Sequence, residues 1–515
     1  MPPQRTVSLR AVVAAAALLL AVGVPSPAAG DGSCHKSCGR EVAACRRAEC
    51  SSLAGDARRG CAERCRARST CTVPGSAIRT IAYVVTECRS DSADPEEGRS
   101  SFAQKLVVRR GNCDPITIKE FRRDAVPEPG ICRLFGNFRV GSESVQAGLF
   151  QRIGVLPDGS GVVFEVTNEF SIYPLLTGDL PDTEKGIFFV HADGSGLRRL
   201  GAATHAATFT SGSINETFFS VSPDQRTIAF SDLGPGADGL PALQIFTIDL
   251  ASGERRQVTR LTVRGPSEDT PSVGFPSFID DRTIVFEVTF APYAGEVSYS
   301  VRTDGTDLRA LPSVIAIPGA TVIPRFDVTK GGTHVAHVSI EGPPMDPNPI
   351  DPDHVREIFL FDHENALQLT NLRHYDTHLP VLGHGRVFFI SSADPLGTNP
   401  GRICQIFSTD LLASRLRQLT RFEEQGRPSP GCTYLLGAAC TNTSGIRVDP
   451  VSGAVLFTAN CDPFGTNPYG DQIFAMRPDG SGLRQLTALR GMQTFPDGSV
   501  LVELPGPLNY SAQAP

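Results

Sequence analysis

Short apolar runs separated by turn residues recur along the chain from about residue 76 onward. Two examples are Leu156–Phe164 (LPDGSGVVF) and Ser222–Phe230 (SPDQRTIAF), in which a turn leads into a β-rich run. Runs of Val, Ile and Phe favour β-strands, and the polar segments before them favour tight turns. The pattern occurs seven times, with further copies at residues 279–286, 383–389, 449–457 and 495–502 and a weaker copy at 328–336.

A second pattern follows most copies of the first. It consists of a strand, a turn and a short strand that ends in a Leu-Thr-like pair, and its six copies begin at Ile187, Gln244, Tyr299, Glu357, Gln405 and Gln472. Several of its runs are apolar at consecutive positions, such as Phe188–Val190. Strands with this composition are covered on both faces.

Asp-Gly pairs mark many of the turns, at residues 158, 193, 304, 479 and 497. Glycine adopts the positive φ that tight hairpin turns demand, so the strands are predicted to pair antiparallel. One repeat cannot bury both of its faces, whereas a ring of four-stranded sheets can. The sequence therefore predicts an all-β fold, a seven-bladed β-propeller, with six blades as the alternative.

The two ends of the repeat region predict how the ring closes. The last copy of the first pattern, at residues 491–503, has no second half, and Ala103–Arg110 near the start has strand character without a preceding turn motif. We therefore expect these two ends to share one blade. The extra residues of the uneven repeats fall between the two halves, as at 231–243 and 392–402, and these loops are expected on one face.

The repeated elements resemble those of a known family. Ser222–Phe230 and the Asp-Gly segment that ends at Leu486-Thr487 resemble the WD-like repeats of TolB-type β-propellers over most of residues 76–505. The resemblance implies the fold. Relatives include a periplasmic translocation component and the non-catalytic domains of prolyl oligopeptidase-like peptidases, so it implies no single activity.

The first thirty residues have the order of a secretory signal peptide. Arg5 and Arg10 form a basic start, residues 11–24 are apolar, and a small-residue tail runs to Gly30. The apolar stretch is short for a membrane span. We expect cleavage after Ala28 or Gly30 and export to the periplasm or the medium, with no membrane span in the mature protein.

Fourteen cysteines behind an export signal favour disulfides. Half of them lie in a predicted helical hairpin at residues 31–72, where pairs spaced by four residues share a helix face. Antiparallel helices would bring Cys34 to Cys65 and Cys38 to Cys61, with Cys45 and Cys50 closing across the turn. A zinc site is the alternative, although the usual C-x2-C spacing is missing. The remaining candidate pairs are Cys71 with Cys88, Cys113 with Cys132, Cys432 with Cys440, and Cys404 with Cys461.

Charge and motifs narrow the range of functions. The formal net charge of −7 gives no electrostatic case for binding nucleic acid. The sequence holds no G-x-S-x-G nucleophile elbow, no H-E-x-x-H, no P-loop and no G-x-G-x-x-G after a strand. We therefore predict neither catalytic nor cofactor-binding residues.

Two sets of residues could still carry chemistry. His374, His378 and His384 form a loose cluster, and His334 and His337 form a pair that points to opposite faces of a strand. Segments 394–399 (DPLGTN) and 462–467 (DPFGTN) are near-duplicates in equivalent loops, with a degenerate relative at 346–351. Their Asp and Asn residues suit calcium, and they suit tight turns equally. The structural turn is the preferred interpretation, and the weak calcium candidates are Asp394, Asn399, Asp462 and Asn467.

The predicted organisation is a signal peptide (1–30), a Cys-rich hairpin (31–72), a TolB-like propeller (76–507) and a tail (508–515). The predicted function is a non-catalytic, monomeric binding scaffold for a protein, peptide or glycan on the loop face. The alternative is a propeller-type polysaccharide lyase or hydrolase that uses loop histidines and carboxylates.

Overall fold

The structure is a computed structural model of the whole chain. It describes isolated residues between 43 and 61 and then residues 80–91, 99–110, 114–126, 149–167, 180–203, 219–262, 272–289, 296–311, 320–324, 334–341, 354–362, 365–374, 376–423, 443–448, 453–465 and 472–510.

Six blades are regular, and each is a four-stranded antiparallel sheet made from one stretch of chain. Blade 1 consists of β4 (Phe150–Val155), β5 (Gly161–Val166), β6 (Gly186–His191) and β7 (Arg198–Gly201). Blade 2 consists of β8 (Ser220–Val221), β9 (Thr227–Pro235), β10 (Pro241–Asp249) and β11 (Arg255–Gln257). Blade 3 consists of β12 (Ser272–Phe278), β13 (Thr283–Thr289), β14 (Glu296–Arg302) and β15 (Arg309–Ala310).

The remaining regular blades follow the same order. Blade 4 consists of β16 (Ala320–Pro324), β17 (His334–Glu341), β18 (His354–Asp362) and β19 (Asn365–Gln368). Blade 5 consists of β20 (Thr377–Gly383), β21 (Arg386–Ser391), β22 (Gln405–Asp410) and β23 (Arg417–Gln418). Blade 6 consists of β24 (Thr443–Val448), β25 (Val455–Ala459), β26 (Gln472–Met476) and β27 (Arg484–Gln485).

The up-and-down order of each blade gives the molecule two different faces. Connections between the first and second strands, and between the third and fourth, lie on one side, which we call the turn face. Connections between the second and third strands lie on the other side, as do the linkers that run to the next blade. We call this side the loop face.

The Asp-Gly turns form as predicted. The glycines after Asp158, Asp193, Asp304, Asp479 and Asp497 all have positive φ, between 76° and 87°. The aspartate side chain accepts the backbone N–H two residues later, as Asp193 does from Ser195 at 2.9 Å. These hydrogen bonds from Ser195 hold the pKa of Asp193 below its usual value. The turns are therefore fixed by their own side chains.

The two ends of the chain share one sheet, as the sequence predicted. This closing sheet has five strands in the order β28 (Gly491–Thr494), β29 (Val500–Tyr510), β1 (Thr80–Ser90), β2 (Ser100–Arg110) and β3 (Ile116–Val126). The expectation of seven blades is wrong, and the six-bladed alternative holds. Six blades are regular, whereas the closing sheet is composite, because strands from both ends must pair across the gap between them.

The register shows how the closing sheet is built. β29 pairs with β1 from Val500 opposite Ser90 to Tyr510 opposite Ile81, whereas β28 pairs with only the first four residues of β29. Thr80 lies against the turn face of blade 1, and Gln104 contacts the loop-face end of β4. β29 is therefore the inner strand, the N-terminal strands are the outer three, and β28 forms a hairpin at the loop-face end.

Apolar clusters fill the spaces between neighbouring sheets. One cluster joins the closing sheet to blade 1 and includes Leu106 and Phe164, both completely buried. Others lie between blades 1 and 2, 2 and 3, 4 and 5, 5 and 6, and between blade 6 and the closing sheet. Each fully buried Val, Leu or Phe side chain contributes about 1.5–3 kcal/mol. The all-β propeller fold is thus confirmed.

The N-terminal cysteine region is described at few residues. Residues 43, 44, 46–48, 58 and 61 are helical, and Cys50 forms a disulfide with Cys61, with 5.8 Å between the Cα atoms. The expected pairs Cys38–Cys61 and Cys45–Cys50 are therefore wrong, because Cys50 and Cys61 use each other. Cys88, Cys404 and Cys461 are also disulfide-bonded. Cys34, Cys38, Cys45, Cys65, Cys71, Cys113, Cys132, Cys432 and Cys440 lie outside the described residues.

Among the described residues, no helix is both long and apolar enough to cross a bilayer.

Candidate functional site: the loop face between blades 4 and 5

A repeated hydrogen-bond network holds the outer strands of blades 2, 5 and 6 on the loop face. In blade 5, Gln405 Oε1 accepts the Thr420 hydroxyl at 2.8 Å and the Phe422 N–H at 3.0 Å. Its Nε2 donates to the Phe422 carbonyl at 2.8 Å. The same three bonds join Gln244 with Thr259 and Leu261 in blade 2, and Gln472 with Thr487 and Leu489 in blade 6.

The Leu-Thr stop of the repeat has its physical explanation in this network. The Thr420 hydroxyl also accepts the Ile406 N–H at 2.9 Å, so this one side chain is bonded to two groups. Gln418 adds a bond from its Nε2 to the Thr420 carbonyl at 2.8 Å. Buried polar groups need such partners, which accounts for the recurrence of Gln and Thr at these positions.

Blade 4 has a glutamate where the other three blades have glutamine. Glu357 is 1% exposed, and its Oε2 accepts the Thr370 hydroxyl at 2.5 Å and the Leu372 N–H at 2.9 Å. Its Oε1 accepts the Arg373 N–H at 2.7 Å. Burial raises the pKa of Glu357, and the three donors together with the Arg373 charge act in the opposite direction.

The linker from blade 4 to blade 5, residues 369–376, continues from these contacts. Arg373 has a φ of +52°, which is uncommon for a residue with a side chain. His374 is buried, and its carbonyl accepts the Arg356 N–H at 3.0 Å. Its Nδ1 accepts the Asp376 N–H at 3.1 Å, which fits a neutral imidazole with its proton on Nε2.

Asp376 connects this linker to the long loop of blade 5. Asp376 is completely buried, and its Oδ2 accepts the Ser392 hydroxyl at 2.9 Å. Its carbonyl accepts the Ser392 N–H at 3.2 Å. The contacts that begin at Glu357 therefore reach residues 392–404, the loop that contains the predicted Asp394 and Asn399.

Asn399 is 3% exposed and is held by the protein on both sides of its amide. Its Nδ2 donates to the carbonyls of Ser392, Ala393 and Ile403 at 3.2, 3.2 and 2.8 Å. Its Oδ1 accepts the Ile403 N–H and Gln405 Nε2. Asp394 Oδ1 accepts the Asn399 N–H at 2.7 Å. In this geometry the two side chains stabilise the turn.

The other predicted residues are distributed around the ring. His384 is exposed, with a φ of +50°, in the turn between β20 and β21 on the turn face. Since β20 spans Thr377–Gly383, it lies roughly 20 Å from His374, so the predicted histidine cluster does not form. His378 lies on β20 between them. Asp462 lies on the loop face of blade 6, and Asn467 and residues 346–351 are outside the described residues.

The described part of the chain contains no group of three His, Cys, Asp or Glu side chains that could hold a metal ion. Sequence reasoning did not single out Glu357, Arg373 or Asp376. The sequence does mark Glu357. The four aligned segments begin with glutamine in three cases, and only this one begins with glutamate. For Arg373 and Asp376 the sequence gives no comparable signal, because both lie in a linker without a repeat pattern.

Six regular blades and a closing sheet of strands from both ends define the chain as a β-propeller protein. No family profile matches the sequence, and no curated protein matches it. Similar solved structures include an oligogalacturonate lyase from Vibrio parahaemolyticus, at 11% identity over 76% of this chain and 91% of that one, with a TM-score of 0.42.

A prolyl endopeptidase is 12% identical over 89% of this chain and 55% of that one, with a TM-score of 0.42. The propeller domain of the Trilobed protease from Pyrococcus furiosus is 11% identical over 67% of this chain and 85% of that one, with a TM-score of 0.38. At this level the fold assignment rests on the sheet order described above and not on these likenesses.

Proposed function

We propose that this protein is an exported β-propeller that binds a protein, a peptide or a glycan on its loop face. The supporting observation is the difference between the two faces. The turn face carries short, self-capped turns, such as residues 192–197 and 411–416. Among the described residues, the loop face carries connections of unequal length, at 236–240 and 392–404.

Unequal loops on a rigid ring are the usual place for recognition, because they change without disturbing the sheets that support them. Export is supported by the signal-like first thirty residues and by the Cys50–Cys61 disulfide, which fits an oxidising compartment. Sequencing the N-terminus of the secreted protein tests this part, and a start at residue 29 or 31 is expected.

Paired leucine substitutions on opposite faces test the binding proposal. Leu240 and Leu396 lie in loop-face connections and are 44% and 46% exposed. Leu308 and Leu412 lie in turn-face turns and are 43% and 63% exposed. The mature chain is first screened on glycan and peptide arrays. For any ligand found, Leu240→Asp with Leu396→Asp is expected to weaken binding at least tenfold, about 1.4 kcal/mol.

The matched pair, Leu308→Asp with Leu412→Asp, is expected to bind like the wild type. Loss of binding in the turn-face pair, with wild-type binding in the loop-face pair, would contradict the proposal. Equal thermal stability of the two double variants makes the comparison valid.

A second candidate is an enzyme of the lyase or hydrolase class, which is also the kind of activity named for the similar structures above. The observation that favours it is the placement of His374, Asp376 and Asp394 at one junction on one face. Incubation with polysaccharide and peptide panels, followed by product analysis, tests it. Turnover that is lost in His374→Ala and kept in His384→Ala would support the enzymatic function. Absence of turnover on both panels would count against the enzymatic function and in favour of the binding function.

A further inference from the structure

The Glu357 site differs from its three relatives in the orientation of one peptide unit. In blades 2, 5 and 6, the glutamine Nε2 donates to the carbonyl of the residue two places after the threonine, at 2.6–2.9 Å. The equivalent residue in blade 4 is Leu372. Its N–H makes the expected bond to the side chain, whereas the second bond comes from the Arg373 N–H.

The Leu372 carbonyl and the Arg373 N–H belong to the same peptide unit. In three blades this unit presents its C=O to the buried side chain, and in blade 4 it presents its N–H. Rotation of a peptide unit by half a turn exchanges the two groups and changes the φ of the following residue. The φ of +52° at Arg373 is the backbone signature of that rotation.

The chemistry of the side chain accounts for the orientation. An ionised carboxylate only accepts hydrogen bonds, whereas an amide both donates and accepts. A protonated carboxyl group resembles the amide, because it has one O–H donor and one accepting oxygen. Two geometries of one linker are therefore matched to the two protonation states of Glu357.

We propose that the Leu372–Arg373 peptide is a proton-controlled switch: when Glu357 takes up a proton, the unit rotates so that the Leu372 carbonyl accepts the new O–H. One proton passes from solvent to Oε1, one hydrogen bond reverses direction, and no covalent bond of the chain changes. The state described here, with three donors on the carboxylate, is the deprotonated one.

The surroundings of Glu357 favour a transition above the ordinary titration range of a glutamate. Burial raises the pKa of Glu357 above its ordinary value of 4.5, and the Arg373 guanidinium lowers it. From blade 5, Val387 and Phe389 pack against the neighbouring Ile358 and contribute no charge. Among the described residues of the linker and of the strand before it, the other ionisable groups beside Glu357 are Arg356, His374 and Asp376.

The rotation would move the residues that follow Arg373. His374 holds the Arg356 N–H through its carbonyl, and Asp376 holds Ser392 of the long blade 5 loop. A change at Glu357 is thus transmitted to the loop face. The consequence for ligand binding rests on the proposed function, whereas the rotation itself does not.

Tryptophan fluorescence reports the switch cleanly, because the chain contains no Trp. Asn371 is exposed and lies directly before Leu372, so Asn371→Trp places a reporter on the linker. In the full mature chain, we expect one reversible fluorescence transition with its midpoint above 4.5. Adding Glu357→Gln is expected to abolish it and to give the acid-state spectrum at neutral pH.

Glu254→Gln, at an exposed glutamate of blade 2, is the control and should leave the transition unchanged. A transition that persists in Glu357→Gln would overturn the proposal. A second measurement needs no variant at this site: wild-type structures are determined at one pH below and one pH above the midpoint of the fluorescence transition. An Arg373 N–H that faces Glu357 in both would overturn it as well.

Ligand binding separates this inference from the proposed function. Loop-face binding that changes at the same midpoint as the fluorescence connects the two. A fluorescence transition without any loop-face ligand would refute the proposed function and leave the switch standing.

Discussion

The Thr80 hydroxyl donates a hydrogen bond to the Gly159 carbonyl at 2.6 Å. Thr80 is the first residue of β1 in the closing sheet, and Gly159 lies in the turn between β4 and β5 of blade 1. The bond joins the two sheets along the turn face, and the apolar cluster around Leu106 and Phe164 joins them in the interior. Ring closure therefore depends on polar and apolar contacts at the same junction.

Substitution of Gly480 tests the contact between blades 5 and 6. Gly480 has a φ of +84°, and a Cβ there would lie too close to the Leu419 carbonyl of the preceding blade. We expect Gly480→Ala to lower the free energy of unfolding by roughly 2–4 kcal/mol, since the strained φ and the clash add. Urea unfolding followed by circular dichroism measures it.

Gly397 is the matched control. It has a φ of +67°, and an added Cβ would meet nothing within 4 Å. Gly397→Ala should cost about 1 kcal/mol from the positive φ alone. Equal losses in the two variants would show that the blades are not packed as described.

Removal of the threonine hydroxyls tests the repeated network. Thr420→Val leaves the Ile406 N–H without its acceptor and removes the donor to Gln405. We expect a loss of about 1–3 kcal/mol, the cost of a buried unsatisfied group. Thr259→Val and Thr487→Val should cost similar amounts. In a variant that carries both, the loss should equal the sum of the two single losses to within about 0.5 kcal/mol, because the two residues lie in different blades. Losses below about 0.5 kcal/mol in all three single variants would contradict the network.

The sequence predicted the repeats, the antiparallel sheets, the Asp-Gly turns and the meeting of the two chain ends. These features are local: the pattern of Val, Ile and Phe and the glycine after each aspartate appear directly in the residue order. The make-up of the closing sheet could not be predicted in the same way. Thr80–Ser90 pairs with residues more than four hundred positions away, and its strand length depends on that partner.

The candidate site was predicted less completely. His374, Asp394 and Asn399 were noted as residue types with chemical potential, and the structure places them at one junction. The backbone conformation of the linker that connects them depends on Glu357. In the repeat pattern, Glu357 is simply the first residue of a predicted strand. A change from an amide to a carboxylate alters one hydrogen bond, and its effect on the neighbouring peptide becomes visible only in three dimensions.

The self-capped turns predict how stability changes in acid. Asp249 accepts bonds from Ala251 and Ser252, and the bonds from Ser252 lower its pKa. Because the pKa of Asp249 is lower in the folded state, the stabilisation is fully present above the ordinary aspartate pKa. It is lost as the pH falls through the pKa of the folded state. Asp249→Ala should cost about 0.5–1.5 kcal/mol at neutral pH, and this cost should shrink as the pH falls below the ordinary aspartate value of 3.8.

Chemical unfolding of wild type and Asp249→Ala between about pH 3 and about pH 7 checks this prediction. A difference between the two proteins that is independent of pH would contradict the role of the ionised carboxylate.

The Asn399 contacts predict a structural role that is independent of calcium. Asn399→Ala should lower the free energy of unfolding by roughly 2–5 kcal/mol, because three carbonyls and two donors lose their partner. Titration calorimetry with calcium should give no heat, and the melting temperature should not change. Saturable heat together with a higher melting temperature, both lost in Asp394→Ala, would establish a metal site instead.

The most direct test of the account is removal of the strand that closes the ring. A chain that ends at Tyr510 should melt like the full-length protein, because β29 is complete. A chain that ends at Ser499 lacks the inner strand of the closing sheet, and it should lose its cooperative thermal transition and regain it when a peptide of residues 500–510 is added. A cooperative transition at the wild-type temperature in the chain ending at Ser499 would contradict closure by the two chain ends.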